Sequence, residues 1–124
     1  MFDHVKFGVR DYAVSKAFYL KALEPIGLTV VADYPPDGVE LGQATNISTL
    51  ILYQTDEKPA HLHVAFVAES RHQVEAFHAA ALSAGGQDNG PPGLRPQYSG
   101  QYYAAFVVDP DGHNIEVVYH EPEA

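Results

Sequence analysis

The sequence predicts an α+β fold assembled from two tandem copies of one unit, each a strand, a helix and then further strands. Three observations predict it. Shifted by 59 residues, the chain overlays on itself: His4 falls on His63, Val5 on Val64, Phe7 on Phe66, Ala17 on Ala76, Phe18 on Phe77, Ala22 on Ala81, Leu23 on Leu82 and Gly27 on Gly86. Each copy opens with an alternating segment that gives way to apolar residues at helical spacing. Asp11 and Ser70 occupy matching positions, and both are residue types whose side chains cap a helix N-terminus. Self-similarity of this kind marks a repeated supersecondary unit. A chain of 124 residues is long enough to bury one core without staples, so the copies form a single domain over residues 1–124. Module one is 1–57 and module two 58–124, divided at Asp56-Glu57-Lys58-Pro59, a charged turn ending in proline.

In module one, Phe2–Val9 alternates and reads as a strand, Asp11–Leu23 as the helix, and strands follow near Thr29–Ala32, Val39–Leu41 and Ile47–Tyr53. In module two, Leu62–Val67 is the strand. Ser70–Ala84 is the helix, with Val74, Phe77, Ala81 and Ala84 on one side and Ser70-Arg71-His72-Gln73 in the form of a capping box. Gly27 and Gly86 stand where the helices end. Gly85–Tyr98 is rich in glycine and proline and reads as a long loop, a length that marks candidate functional loops. Tyr102–Val108 and Asn114–Tyr119 flank Asp109-Pro110-Asp111-Gly112, a strong turn signal, and read as a hairpin.

Composition removes several functions. The chain has no cysteine, which excludes a disulfide framework, a thiolate metal site and a cysteine nucleophile. Seven basic against sixteen acidic residues give a net charge of −9, and the seven cations are scattered, so no stripe exists to neutralise phosphates and nucleic acid is not an expected partner. No apolar run approaches the roughly 20 residues of a membrane span, and Met1-Phe2-Asp3-His4 lacks the basic head and apolar stretch of a signal peptide. A soluble, cytoplasmic chain acting on a small molecule is the expectation. Its seven histidines are the notable reactive resource.

Side chains alternate across a strand, so faces can be assigned. Val5, Phe7 and Val9 share one face and His4, Lys6 and Gly8 the other; Leu62, Val64 and Phe66 oppose His61, His63 and Ala65; Ile115, Val117 and Tyr119 oppose Asn114, Glu116, Val118 and His120. The greasy faces pack under the helices, which turns His4, His63 and Glu116 toward whatever concavity the sheets enclose. Two imidazoles and a carboxylate suit Fe(II), Mn(II), Zn(II), Ni(II) or Co(II) with positions left open for substrate and water. Of the other histidines, His61 is assigned to the rim, His72 and His78 to a solvated helix face, His113 to local turn structure, and His120 to a supporting role beside Glu116.

The segments Asp3-His4-Val5-Lys6-Phe7, His63-Val64-Ala65-Phe66 and Asp109-Pro110-Asp111-Gly112-His113-Asn114-Ile115-Glu116 make the sequence resemble the vicinal oxygen chelate superfamily. That group includes glyoxalase I, extradiol dioxygenases, fosfomycin-resistance thiol transferases and bleomycin-binding proteins. The resemblance implies paired βαβββ modules whose curled mixed sheets form an open cup with the helices outside, and it places His4, His63 and Glu116 as metal ligands. It also implies a homodimer in which a metal is shared between module one of one chain and module two of its partner. Its chemistry is chelation of two neighbouring substrate oxygens and Lewis-acid stabilisation of developing negative charge. Tyr102, Tyr103 and His120 are then candidates for acid–base work, and Arg95 and Tyr98 for substrate contact. Glyoxalase I and related epimerases take a fourth ligand from the last strand of the first module; aligning Leu52-Tyr53 with Val118-Tyr119 places Leu50 there, which cannot bind a metal. The alternative function is that of a metal-free, bleomycin-resistance-like binding protein using the same cup.

Overall fold

Strand β1 (His4–Val9) leads into helix α1 (Tyr12–Leu23), which closes through a 3-10 turn at Glu24–Ile26 before β2 (Thr29–Tyr34), β3 (Gly38–Gly42) and β4 (Thr49–Gln54). Module two repeats the order with β5 (His63–Val67), α2 (Arg71–Ser83), β6 (Gln87–Leu94), β7 (Tyr102–Val108) and β8 (Asn114–His120). The structure, a computed structural model, describes residues 1–58 and 60–123; Pro59 and Ala124, on which the expected module boundary and domain limit fall, lie outside the described residues. Each module forms one four-stranded mixed sheet, in the order β1-β4-β3-β2 and β5-β8-β7-β6, with the first and last strands of each module parallel and the other pairs antiparallel.

The helix starts lie where the capping residues stand. The Asp11 carboxylate accepts from the Val14 amide at 3.1 Å, and Ser70 Oγ accepts from the Gln73 amide at 3.2 Å. The Gln73 side chain returns to the Glu69 amide at 2.7 Å, one residue before the cap. In module two the left-handed residue after the helix is Gly85 (φ 98°) rather than Gly86. Gly86 is required for a different reason: a Cβ there would stand 2.5 Å from Val107 Cγ1 and 2.8 Å from Phe18 Cε1.

That contact joins the modules, since Phe18 belongs to α1 and Gly86 to module two. One apolar core takes Phe7, Val9, Phe18 and Leu52 from module one and Val74, Phe77, Ile115 and Val117 from module two. The two helices therefore pack between the helix-facing sides of both sheets, and each sheet turns its other side away from this core. The β7–β8 turn stitches the modules at their polar edge. Asp111 accepts from the Arg10 amide (2.9 Å) and Ser15 Oγ (3.1 Å), while Asp109 accepts from the Asp111 and His113 amides and from the Tyr19 hydroxyl.

Burial, reinforced by the Asp109 carboxylate, pushes the Tyr19 hydroxyl well above its ordinary value of 10.0. The sign follows from linkage: the folded chain keeps this proton where the unfolded chain releases it. The contribution is full below pH 10 and is lost as pH rises beyond it, at about 1.4 kcal/mol per pH unit. Urea denaturation between pH 9 and 11 should show stability falling with pH, and Tyr19→Phe should make the fall shallower without abolishing it, because burial also raises the Tyr12, Tyr102 and Tyr103 hydroxyls.

Two expectations need correction. Gly85–Tyr98 is not a loop throughout: Gln87–Leu94 is an edge strand paired with β7, its register broken between Asp88 and Gly90 and again between Gly90 and Gly93. Pro91 and Pro92 donate no amide, and an edge strand with bulges accommodates them. His78 is not fully solvated; it is half-buried, and its Nε2 meets Asp88 Oδ1 at 2.9 Å.

Candidate metal and substrate site

On module two, the side of the sheet turned away from the core gathers most of the candidate residues. The register sets them: Ala65 pairs with Glu116 and Glu116 with Phe106, while Tyr102 pairs with His120. Glu116 is 2% exposed, set beside Ala104, Phe106 and Val118, which form their own small apolar cluster. A carboxylate taken out of water in this way needs hydrogen bonds. Glu116 has one on each oxygen: His63 Nε2 lies 2.8 Å from Oε1, and the Tyr102 hydroxyl donates to Oε2. The His63 side chain is 52% exposed, so the pair has a buried base and an open lip.

Tyr102 packs on the Ala104–Phe106–Val118 cluster. Burial first, then the Glu116 hydrogen bond, drives its hydroxyl far above its ordinary value of 10.0, so it stays protonated and acts as a donor. His120 meets the Tyr102 ring edge-on at 5.3 Å and Tyr98 does so at 4.9 Å. Arg95, one residue past β6, folds back on that strand, donating to the Pro91 and Gly93 carbonyls at 2.6 and 2.8 Å, which holds its guanidinium 5.3 Å over the Phe106 ring. The guanidinium thus has a fixed position on the same face as Glu116.

Tyr103 leaves the site. Adjacent residues on a strand face opposite ways, and Tyr103 is buried on the helix side, its hydroxyl donating to Glu75 at 2.8 Å beneath the Arg71 guanidinium. His113 is a structural residue as expected: it is buried, and Nδ1 accepts the Leu62 amide at 3.0 Å, which ties the start of β5 to the hairpin turn. His61 is exposed, its ring 6.4 Å from that of His113. His72 is exposed on α2.

His4 lies on module one, with Nδ1 2.6 Å from Asp3 Oδ1. A carboxylate on Nδ1 fixes the tautomer that leaves Nε2 as the ligating atom. Among the described residues no three His, Asp or Glu side chains converge closely enough to hold a metal. One chain therefore presents two parts: His63 with Glu116 on one sheet and His4 on the other. The donor chemistry fits a divalent ion of the first transition row. The position opposite Glu116 in module one is Ile51, not Leu50: β1 and β4 pair His4 with Thr49 as β5 and β8 pair His63 with Asn114, so Ile51 matches Glu116. Leu50 faces the core instead, and Ile51, also apolar, supplies no ligand.

Phe106 and Ala104 are site residues that motif reading passes over. Strand parity, extended from Tyr102, marks both.

No helix among the described residues is long and apolar enough to cross a membrane. No curated protein matches the sequence. Among solved structures, the chain is similar to a glyoxalase/bleomycin resistance protein from Albidiferax ferrireducens T118, at 32% identity over 98% of each chain with a TM-score of 0.80. It shares its fold with a glyoxalase/bleomycin resistance protein/dioxygenase family enzyme from Burkholderia phytofirmans PsJN (15% identity, 96% of this chain and 98% of that one, TM-score 0.76). The same holds for a lactoylglutathione lyase from Agrobacterium tumefaciens (17% identity, 96% and 92%, TM-score 0.72). The family model for this group matches residues 1–117. The duplicated βαβββ architecture, the turn that leads into Glu116 and this match together place the chain in the Glyoxalase/Bleomycin resistance protein/Dioxygenase superfamily.

Proposed function

We propose that the protein is a metal-dependent enzyme acting on a small oxygenated or electrophilic molecule, with its metal held by His63 and Glu116 of one chain and His4 of a second copy. The observation that carries this reading is the His63–Glu116 pair, an imidazole nitrogen and a buried carboxylate oxygen 2.8 Å apart at an open face. Fe, Mn, Zn, Ni or Co, bound there, supplies Lewis acidity toward two neighbouring substrate oxygens. The chain's own residues do the rest. Tyr102 holds a proton at its hydroxyl, directed onto Glu116. Phe106 and Tyr102 give an apolar, aromatic wall on one side, with Tyr98 exposed at its rim. Arg95, fixed over Phe106, offers positive charge to an anionic substrate oxygen.

A second copy is supported by the outward direction of both non-core faces. It is also supported by the free edges of β1 and β5, beside which Phe2 and Val67 are exposed. Mixing His4→Ala with Glu116→Gln chains should restore about a quarter of the metal sites, because half of the randomly formed dimers are mixed and each mixed dimer has one intact site. Absence of any recovery, with subunit exchange demonstrated, overturns the shared arrangement.

A second reading, a metal-free binding protein of the bleomycin-resistance type, is favoured by one observation: both Glu116 oxygens already have protein hydrogen bonds. Elemental analysis of protein purified without chelator, followed by titration with Mn, Fe, Co, Ni and Zn, separates the two. No bound metal and no saturable uptake sinks the enzyme reading. Uptake followed by turnover of catechols, hemithioacetals or thiol–epoxide pairs supports it.

A further inference from the structure

Sheet one has polar groups on its outward face that the proposed metal site does not use. Across it runs a row of register partners: Lys6 on β1, Ile51 on β4, Glu40 on β3 and Ala32 on β2. Glycines at positions 38 and 42 flank Glu40 two residues away on the same face, so no side chain rises on either side of its carboxylate along β3. The result is a hollow of about 410 Å³ lined by Lys6, Ala32, Tyr34, Asp37, Glu40 and Ile51.

The charges in this hollow are held apart. Thr49 Oγ1 donates to Glu40 Oε2 at 2.8 Å, which orients the carboxylate and leaves Oε1 without a hydrogen bond among the described residues. The Lys6 ammonium lies 5.2 Å from the centre of the Tyr53 ring and makes no ion pair among the described residues. Lys6 and Glu40 stand on opposite sides of Ile51, about two strand spacings or ~10 Å apart at the backbone. A cation and a carboxylate on one face, separated by an aliphatic floor and not neutralising one another, are complementary to a short molecule with the opposite charges at its two ends.

We infer that this hollow is a binding subsite for a small dipolar molecule, with the ligand's carboxylate on Lys6, its ammonium on Glu40 and its aliphatic middle over Ile51. The hollow shares the outward face of its sheet with His4, two residues along β1 from Lys6, so the inference rests on the proposed function and names the substrate class of that cup; probe binding without added metal is read separately from metal uptake. Asp37 also lines the hollow and adds negative charge to it.

The test is an NMR titration of the full chain, ¹⁵N-labelled, with β-alanine, 4-aminobutyrate and 6-aminohexanoate, and with butyrate and butylamine as singly charged controls. The expected result is saturable shifts at Lys6, Gly38, Glu40 and Ile51 with at least one dipolar probe, binding roughly tenfold weaker for each control, and weakening of binding by added salt. Lys6→Met and Glu40→Gln should each weaken the dipolar probe about tenfold, bringing it to the level of the singly charged controls, while thermal melts stay unchanged because neither side chain is in the core. Equal binding by butyrate or butylamine, insensitivity to both substitutions, or no shifts with any probe up to tens of millimolar overturns the assignment.

Discussion

Glu116→Gln should lower divalent-metal affinity on the order of 100-fold or more without destabilising the fold. Glutamine keeps the shape of the side chain and can still accept from the Tyr102 hydroxyl, but it removes the anionic donor that a divalent ion requires. Glu116 is 2% exposed, and glutamine keeps a polar group facing both partners, an oxygen for the Tyr102 hydroxyl and an amide for the His63 ring nitrogen, so no buried group is left unpaired and stability should change little. Loss of affinity with a constant melting temperature is the signature of a residue kept for function. Calorimetric titration with Zn(II) and Mn(II), paired with a thermal melt, reads both quantities. Undiminished affinity in the variant would remove Glu116 from the ligand set.

Phe77→Ala should cost about 3–5 kcal/mol, the range for deleting a fully buried ring. That is a large share of the 5–15 kcal/mol typical of a domain. Phe77 is 0% exposed on α2, in the core shared by both modules. Because that core is one cluster, the loss should not be confined to module two: a single cooperative transition should shift to lower denaturant. Urea denaturation followed by far-UV circular dichroism measures this, and two separate transitions would contradict a common core.

Much of this architecture is legible in the amino-acid order. The 59-residue repeat, the caps at Asp11 and Ser70, and the parity that puts His63 and Glu116 on one face all survive in three dimensions. The departures share physical causes. Composition disqualified Gln87–Leu94 as a strand, but an edge strand needs hydrogen bonds on one side only, and two bulges absorb the residues that cannot pair. Tyr102 and Tyr103 look alike in a list of candidates, yet adjacent strand residues point to opposite faces, one to Glu116 and the other to Glu75. The Leu50 assignment failed because register between parallel strands is set by the packing of the connecting elements, which spacing does not encode. The separation of His4 from His63 depends on how two modules dock, a tertiary property that no local pattern carries.

The two prolines of β6 have a consequence for assembly. A sheet with free outer edges can add strands indefinitely and polymerise. In module two the outer edge is β6, where Pro91 and Pro92 present no amide hydrogens and the bulges bend the strand away from a flat template. In module one the outer strand, β2, is itself broken by a register shift between Val30 and Ala32. The edges whose registers run unbroken are β1 and β5, at the opposite side of each sheet. Strand addition at β6 and β2 is therefore disfavoured, which removes two of the four sheet edges as templates for aggregation.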